Sequence, residues 1–99
     1  MLTLPIERKW FDAILSGFKK EEYRNNNNYW TTRINNEKKR QQSPDGNGMK
    51  LILQNGYRKD APRIMITLSG ISIGPGSIWW GADQGKEYIV LHIEKVECV

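Results

Sequence analysis

Trp10-Phe11-Asp12-Ala13-Ile14-Leu15-Ser16-Gly17, followed by Phe18-Lys19-Lys20-Glu21-Glu22-Tyr23-Arg24, is the stretch that decides how this chain folds. Trp10, Phe11, Ile14 and Leu15 recur at helical spacing and make one apolar stripe. Glu7 falls in the expected first turn, where a negative charge suits the helix dipole. Gly17 follows the last apolar residue, the usual place for a left-handed C-cap. The spacing predicts a helix over about residues 7–16, with Trp10 in the core. The charged stretch from Lys19 to Arg24 either continues a helix or becomes a strand, and the glycine argues for a break.

Upstream, Leu2-Thr3-Leu4-Pro5-Ile6 alternates apolar and polar residues and reads as a first strand that stops at Pro5 or just beyond it. Downstream, Asn25 to Asn28 is a polar run, and Tyr29 to Ile34 fits either a short helix or an extended piece. Residues 35–49 are polar or turn-forming throughout and predict a long surface loop containing Lys38-Lys39-Arg40. The second half reads as β. Leu51-Ile52-Leu53 is a short buried run, while Ile64, Ile66 and Leu68 alternate with Met65, Thr67 and Ser69. Gly70 interrupts, Ile71 and Ile73 resume, and Gly74-Pro75-Gly76 makes a turn. Trp79-Trp80-Gly81 opens a connector through Gly85. In the last strand, Ile89, Leu91 and Ile93 share one face; Tyr88, Val90 and His92 share the other. One strand, one helix and several more strands make an α+β domain, most economically a curled sheet or small barrel with a helix over one opening.

Length and composition bound the possibilities. Ninety-nine residues make one domain, 1–99, near the lower size limit for folding without staples. Four Trp and four Tyr supply large core side chains, each able to bury roughly 150–250 Å². The single cysteine, Cys98, cannot form an internal disulfide. Apolar runs of three or four residues fall far short of the roughly 20 that cross a bilayer. The expectation is a cytoplasmic protein without a membrane partner, a monomer or weak dimer. A formal charge of +4 favours approach to polyanions without identifying one.

Gly17-x-Lys19-x-x-Glu22-x-Arg24 resembles the G-x-K-x-x-E-x-R signature of the ASCH domain family, named for activating signal cointegrator homology. Asn55-Gly56-Tyr57, Pro62-Arg63, Gly70-Ile71 and Trp80-Gly81-Ala82 are similar to small bacterial and phage-type members. The resemblance covers nearly the whole chain apart from residues 35–49. It implies a PUA-like β-barrel of about five to six strands, one N-terminal helix (about 7–16) and short additional helical turns. A cleft between helix and sheet, lined by the motif, is also implied. Members of the family bind RNA, and some hydrolyse modified nucleosides or act as ribonucleases.

Gly17 lets the chain turn sharply out of the helix. Lys19 can donate to a phosphate or base carbonyl, or act as a base if burial lowers its pKa. On a strand Glu22 and Arg24 share a face, so a carboxylate acceptor stands beside a guanidinium donor, suited to a base edge. Glu22 can also serve as a general base. If the chain is an enzyme, Lys19 and Glu22 are its catalytic candidates. The family's amidohydrolases that deacylate cytidine carry a threonine three residues after the lysine; Glu22 stands there instead, and no distant glutamate has a motif around it.

Base stacking on an aromatic ring is worth roughly 1–3 kcal/mol. Tyr29, Trp30, Tyr57, Trp79 and Trp80 fall in loops or at element ends, with Arg33, Arg58 and Arg63 interspersed. Part of this aromatic set is expected in the core; Trp30 and Tyr57 are the preferred stacking residues. The ligand-contact set is Lys19, Glu22, Arg24, Trp30, Arg33, Asn55, Tyr57 and Arg63. His92 has no carboxylate partner in sequence and reads as structural. No metal or cofactor motif occurs. The expected partner is RNA, a nucleoside or a nucleotide, with a hydrolase or a protein-interaction adaptor as alternatives. On the binding reading, alanine at Lys19, Glu22 or Arg24 weakens binding and leaves the fold intact.

Overall fold

A computed structural model describes residues 1–99. In chain order the elements are β1 (Thr3–Ile6), α1 (Arg8–Leu15), β2 (Glu21–Asn25), α2 (Asn28–Arg40), β3 (Lys50–Asn55), β4 (Arg63–Pro75) and β5 (Glu87–Cys98). The strands form one mixed sheet in the order β1-β3-β4-β5-β2. β1 runs parallel to β3, and the other neighbours are antiparallel. The α+β architecture agrees with the sequence reading. The sheet is not closed into a barrel: β1 and β2 are its two edges. Pro5 on β1 has no N–H to give a ladder. Instead, the Arg24 guanidinium on β2 reaches across and donates to the Pro5 carbonyl at 2.9 Å.

α1 buries Phe11 and Ile14 but leaves Leu15 exposed and Trp10 half-buried. Trp10 is therefore not a core residue as its spacing suggested. Gly17 takes φ +85°, the left-handed turn expected after the helix. β2 starts immediately afterwards, which resolves the charged stretch as a strand.

The inner face of the sheet packs Leu4, Leu51, Leu53, Ile64, Ile66, Leu68, Ile89 and Leu91 with Phe11, Ile14 and Ile34. The strand alternation predicted for 64–68 is thus the core face of β4. On the opposite face, Tyr23, Ala82, Tyr88 and Val90 form a second small cluster under the connector 76–86. β5 is buried on both faces between Tyr88 and Leu91. Burial pushes the Tyr23 hydroxyl pKa up, and that hydroxyl donates to Glu21 at 2.7 Å.

The loop expected at 35–49 is shorter than it reads, because α2 continues to Arg40. Asn27 caps the helix through its side-chain oxygen, which accepts from the Trp30 N–H at 3.0 Å. Lys38, Lys39 and Arg40 occupy the last turn, where positive charge suits the dipole. Trp30, Ile34, Glu37 and Gln41 face inward, a helical stripe with a carboxylate and an amide in it. Glu37 accepts from Arg40, from Gln41 at 2.6 Å and from the Leu2 N–H at 3.2 Å, tying α2 to the start of β1. No helix is long and apolar enough to cross a membrane.

The Arg40 guanidinium beside Glu37 holds its carboxyl at about 2, well below the usual carboxylate range. A depressed native pKa stabilises the fold above the unfolded value near 4.5 and ceases to do so as pH falls toward 2. Solvent around the half-exposed Arg40 screens the pair, so the contribution is small. Glu37→Gln should melt below the parent at pH 7, and the gap should close between pH 4.5 and 2. Thermal melts across that range check it; a gap independent of pH would contradict it.

Candidate functional site

The cleft lies at the open seam of the sheet, between the edge strands β1 and β2 and under α1. Its volume is about 460 Å³, within the range of small-ligand sites. Pro5, Ile6, Glu7 and Trp10 line one side, and Gly56 and Tyr57 extend the lip. The motif residues Lys19, Glu22 and Arg24 are its polar floor, with Tyr23, Trp80, Gly81 and Tyr88 beside them.

The floor is a hydrogen-bonded chain of charges. Lys19 is 2% exposed. Its ammonium donates to Glu22 Oε1 at 2.8 Å and to the Trp80 carbonyl at 2.9 Å. The indole of Trp10 lies 4.5 Å from the same nitrogen, so a ring face takes up the remaining side of the cation. Glu22 Oε1 also accepts the Tyr23 N–H at 3.1 Å, and Oε2 accepts from Arg24 Nη1 at 2.9 Å. Arg24 donates further to the Tyr23 carbonyl at 2.7 Å and to Pro5 across the seam. Burial pushes the Glu22 carboxyl up, but the charges and hydrogen bonds of Arg24 and Lys19 outweigh it and hold the group below its ordinary value. Lys19 and Arg24 on the floor face Glu22 beside them and Glu7 on the wall, so the formal charges of the cleft lining balance. The Nε of Arg24 makes no hydrogen bond within the protein.

The roof is the connector. Tyr23 Oη accepts the Ser77 N–H at 2.9 Å, and Tyr88 Oη accepts the Asp83 N–H at 2.8 Å. Between them a 3₁₀ turn, Ile78–Trp80, ends at Gly81 with φ +96°. A Cβ on Gly81 would stand 2.9 Å from the Trp10 ring. Glycine is therefore needed twice over at this point, for backbone conformation and for close approach.

Lys19, Glu22, Arg24 and Tyr57 of the expected contact set meet at the cleft. Trp30 sits one contact behind, its ring 5.2 Å from the Arg24 guanidinium. Arg33 instead lies 3.6 Å over the Tyr29 ring on α2, and Arg63 donates to Gln54 at 2.8 Å. Asn55 ends β3 next to the lip but does not line the cleft. None of Tyr29, Trp30, Tyr57, Trp79 and Trp80 is buried, so the expectation that part of this set builds the core is corrected. Trp10, Glu7, Tyr23 and Tyr88 belong to the cleft without having been singled out for it. Tyr23 stands inside the motif at a free position, the one local signal that pointed to it.

Fold and site define a small α+β protein with an ion-paired cleft at the unclosed edge of a five-stranded sheet. No family model, curated protein or solved structure matches this chain.

Proposed function

We propose that this chain is an ASCH-type recognition domain that binds RNA or a modified nucleoside in the seam cleft. The observation that carries the reading is the Lys19–Glu22–Arg24 chain, set in a cleft walled by Trp10, Tyr57, Trp80 and Tyr88. Aromatic walls suit the faces of a base, and a floor with acceptor and donor atoms side by side suits its edge.

Recognition is favoured over hydrolysis in the same cleft by the state of the charges. An efficient general base has a pKa near the working pH. Glu22 is moved the other way, and the Lys19 protons are committed to Glu22, the Trp80 carbonyl and the Trp10 ring. Lys19 and Glu22 are thus read as a fixed polar floor.

Tyr57 is the residue with which to test this, because it is 89% exposed and lines the cleft. Tyr57→Ala should leave the melting temperature within a few degrees of the parent, as surface changes of about 0.5 kcal/mol do. It should weaken binding of a labelled single-stranded RNA, or of the best ligand in a panel of modified nucleosides, by about 5–150-fold. Fluorescence titration reads the affinity, and chromatography of the same mixtures reads any product. Unchanged affinity would remove Tyr57 and this cleft from the binding reading; product formation would establish the hydrolase instead.

A further inference from the structure

On β2 the side chains alternate: Glu22 and Arg24 share the sheet face of Leu91 and Ile89, whereas Glu21 shares the face of His92. There the register sets Glu21 directly across from His92 of β5. His92 pairs in turn with Gly70 of β4, and Ser72 is two residues further along the same face. Three adjacent strands therefore bring a hydroxyl, an imidazole and a carboxylate into one row. Ser72 Oγ is 2.8 Å from His92 Nε2, and His92 Nδ1 is 3.4 Å from Glu21 Oε2. The carboxylate is anchored from behind, because its other oxygen accepts the Tyr23 hydroxyl, which itself accepts the Ser77 N–H.

With a carboxylate on its Nδ1 side, a neutral His92 keeps its proton on Nδ1 and turns the Nε2 lone pair toward the serine. Nucleophile, base and orienting acid in that order are the arrangement that activates a hydroxyl. Access is open. Ser72 is exposed, and on its own strand face it is flanked by Gly70 and Gly74, which carry no side chains. A Cβ at Gly74 would meet nothing within 4 Å.

We propose that Ser72, His92 and Glu21 form a nucleophilic site, separate from the cleft, at which Ser72 accepts acyl groups from small activated esters. Ser72 Oγ attacks the ester carbonyl carbon while its proton passes to His92 Nε2. The bond from that carbon to the leaving oxygen breaks, and the Nε2 proton goes to the departing alcohol. Water then attacks the acyl-serine, giving its proton to Nε2, and serine is restored as the acid departs. Glu21 is a positioning residue: it orients the ring and steadies the imidazolium formed in each half of the cycle. Val90, the cross-strand neighbour of Ser72, is buried beneath the connector on this face, so small unhindered donors are the substrate class.

The probe is p-nitrophenyl acetate with the full chain, followed by nitrophenolate release and by mapping the acetylated peptides. The expected result is one acetyl group on Ser72, absent from Ser72→Ala. Labelling of Ser72 should fall about 100-fold in His92→Gln, the lower end of the range for a general base. Glu21→Gln should lower the labelling of Ser72, and Glu21→Asp, which keeps the carboxylate on a shorter arm, should restore part of it. Acetylation confined to lysines and the N-terminus would overturn the proposal, as would Ser72 labelling that is equal in His92→Gln. Labelling in Glu21→Asp no better than in Glu21→Gln would overturn the role given to the carboxylate.

Discussion

Glu22→Ala should cost about 3–5 kcal/mol, the largest single-residue effect expected outside the apolar core. Removing the carboxylate leaves the ammonium of Lys19, 2% exposed, with the Trp80 carbonyl and the rings of Trp10 and Tyr23 but no counter-charge. Arg24 loses one acceptor at the same time but keeps the Tyr23 and Pro5 carbonyls. For a domain of this size the loss corresponds to a fall in Tm of roughly 12 °C or more. The reason is an unpaired buried charge and not the absence of an attractive contact, and that distinction is testable. Lys19→Met/Glu22→Met removes both buried charges together and fills the space with flexible apolar chains. It should be more stable than Glu22→Ala alone, because a buried ion pair contributes little net stability while a half-removed one is costly. Thermal and urea melts of the single and double variants decide it. A Glu22→Ala variant within about 1 kcal/mol of the parent would show that water reaches Lys19 freely.

This bears directly on how the cleft can be probed. Alanine at Lys19 or Glu22 removes a buried charged side chain and is expected to cost stability, so binding in those variants has to be read beside their melting temperatures. Tyr57 on the lip is the residue through which ligand contact can be separated from stability.

What could be read in advance follows the range of the interactions. The helix stripe of α1, its glycine stop and the alternation in β4 are set by residues within a few positions of one another, and they appear where the periodicity puts them. Sequence alone leaves residues 29–34 open between helix and extended chain and makes 35–49 a loop, because Glu37 and Gln41 occupy inward positions of α2 where an apolar residue is expected. A buried carboxylate satisfied by Arg40, Gln41 and the Leu2 N–H has no hydrophobic signature. The cleft was legible only as a motif. Its floor depends on the Trp80 carbonyl, 61 residues from Lys19, and its roof on Ser77, 54 residues from Tyr23. The Glu21 partner of His92 was hidden for the same reason: it is defined by the register between the second and the last strand.

That long-range roof is where the second large effect is expected. Gly81→Ala should cost about 2–4 kcal/mol, compounded from two sources. At φ +96° an L-residue meets the left-handed penalty of roughly 1–2 kcal/mol. The new methyl would also stand 2.9 and 3.0 Å from Cζ2 and Cε2 of Trp10, closer than carbon atoms pack, so ring or connector must shift. Gly85→Ala is the matched control. Its φ of +78° is comparable, and nothing lies within 4 Å of its would-be Cβ, so it should show the backbone penalty alone. The difference between the two variants, expected at about 1–3 kcal/mol, isolates the contact with the indole. Because Trp10 faces Lys19 and the Trp80 carbonyl receives that lysine, displacement at Gly81 is transmitted to both the wall and the floor of the cleft. Trp fluorescence should change in Gly81→Ala and stay near the parent in Gly85→Ala. Equal stability losses in the two variants would mean that Trp10 yields without cost, and the cleft would then be a mobile surface with no preformed shape to offer a ligand.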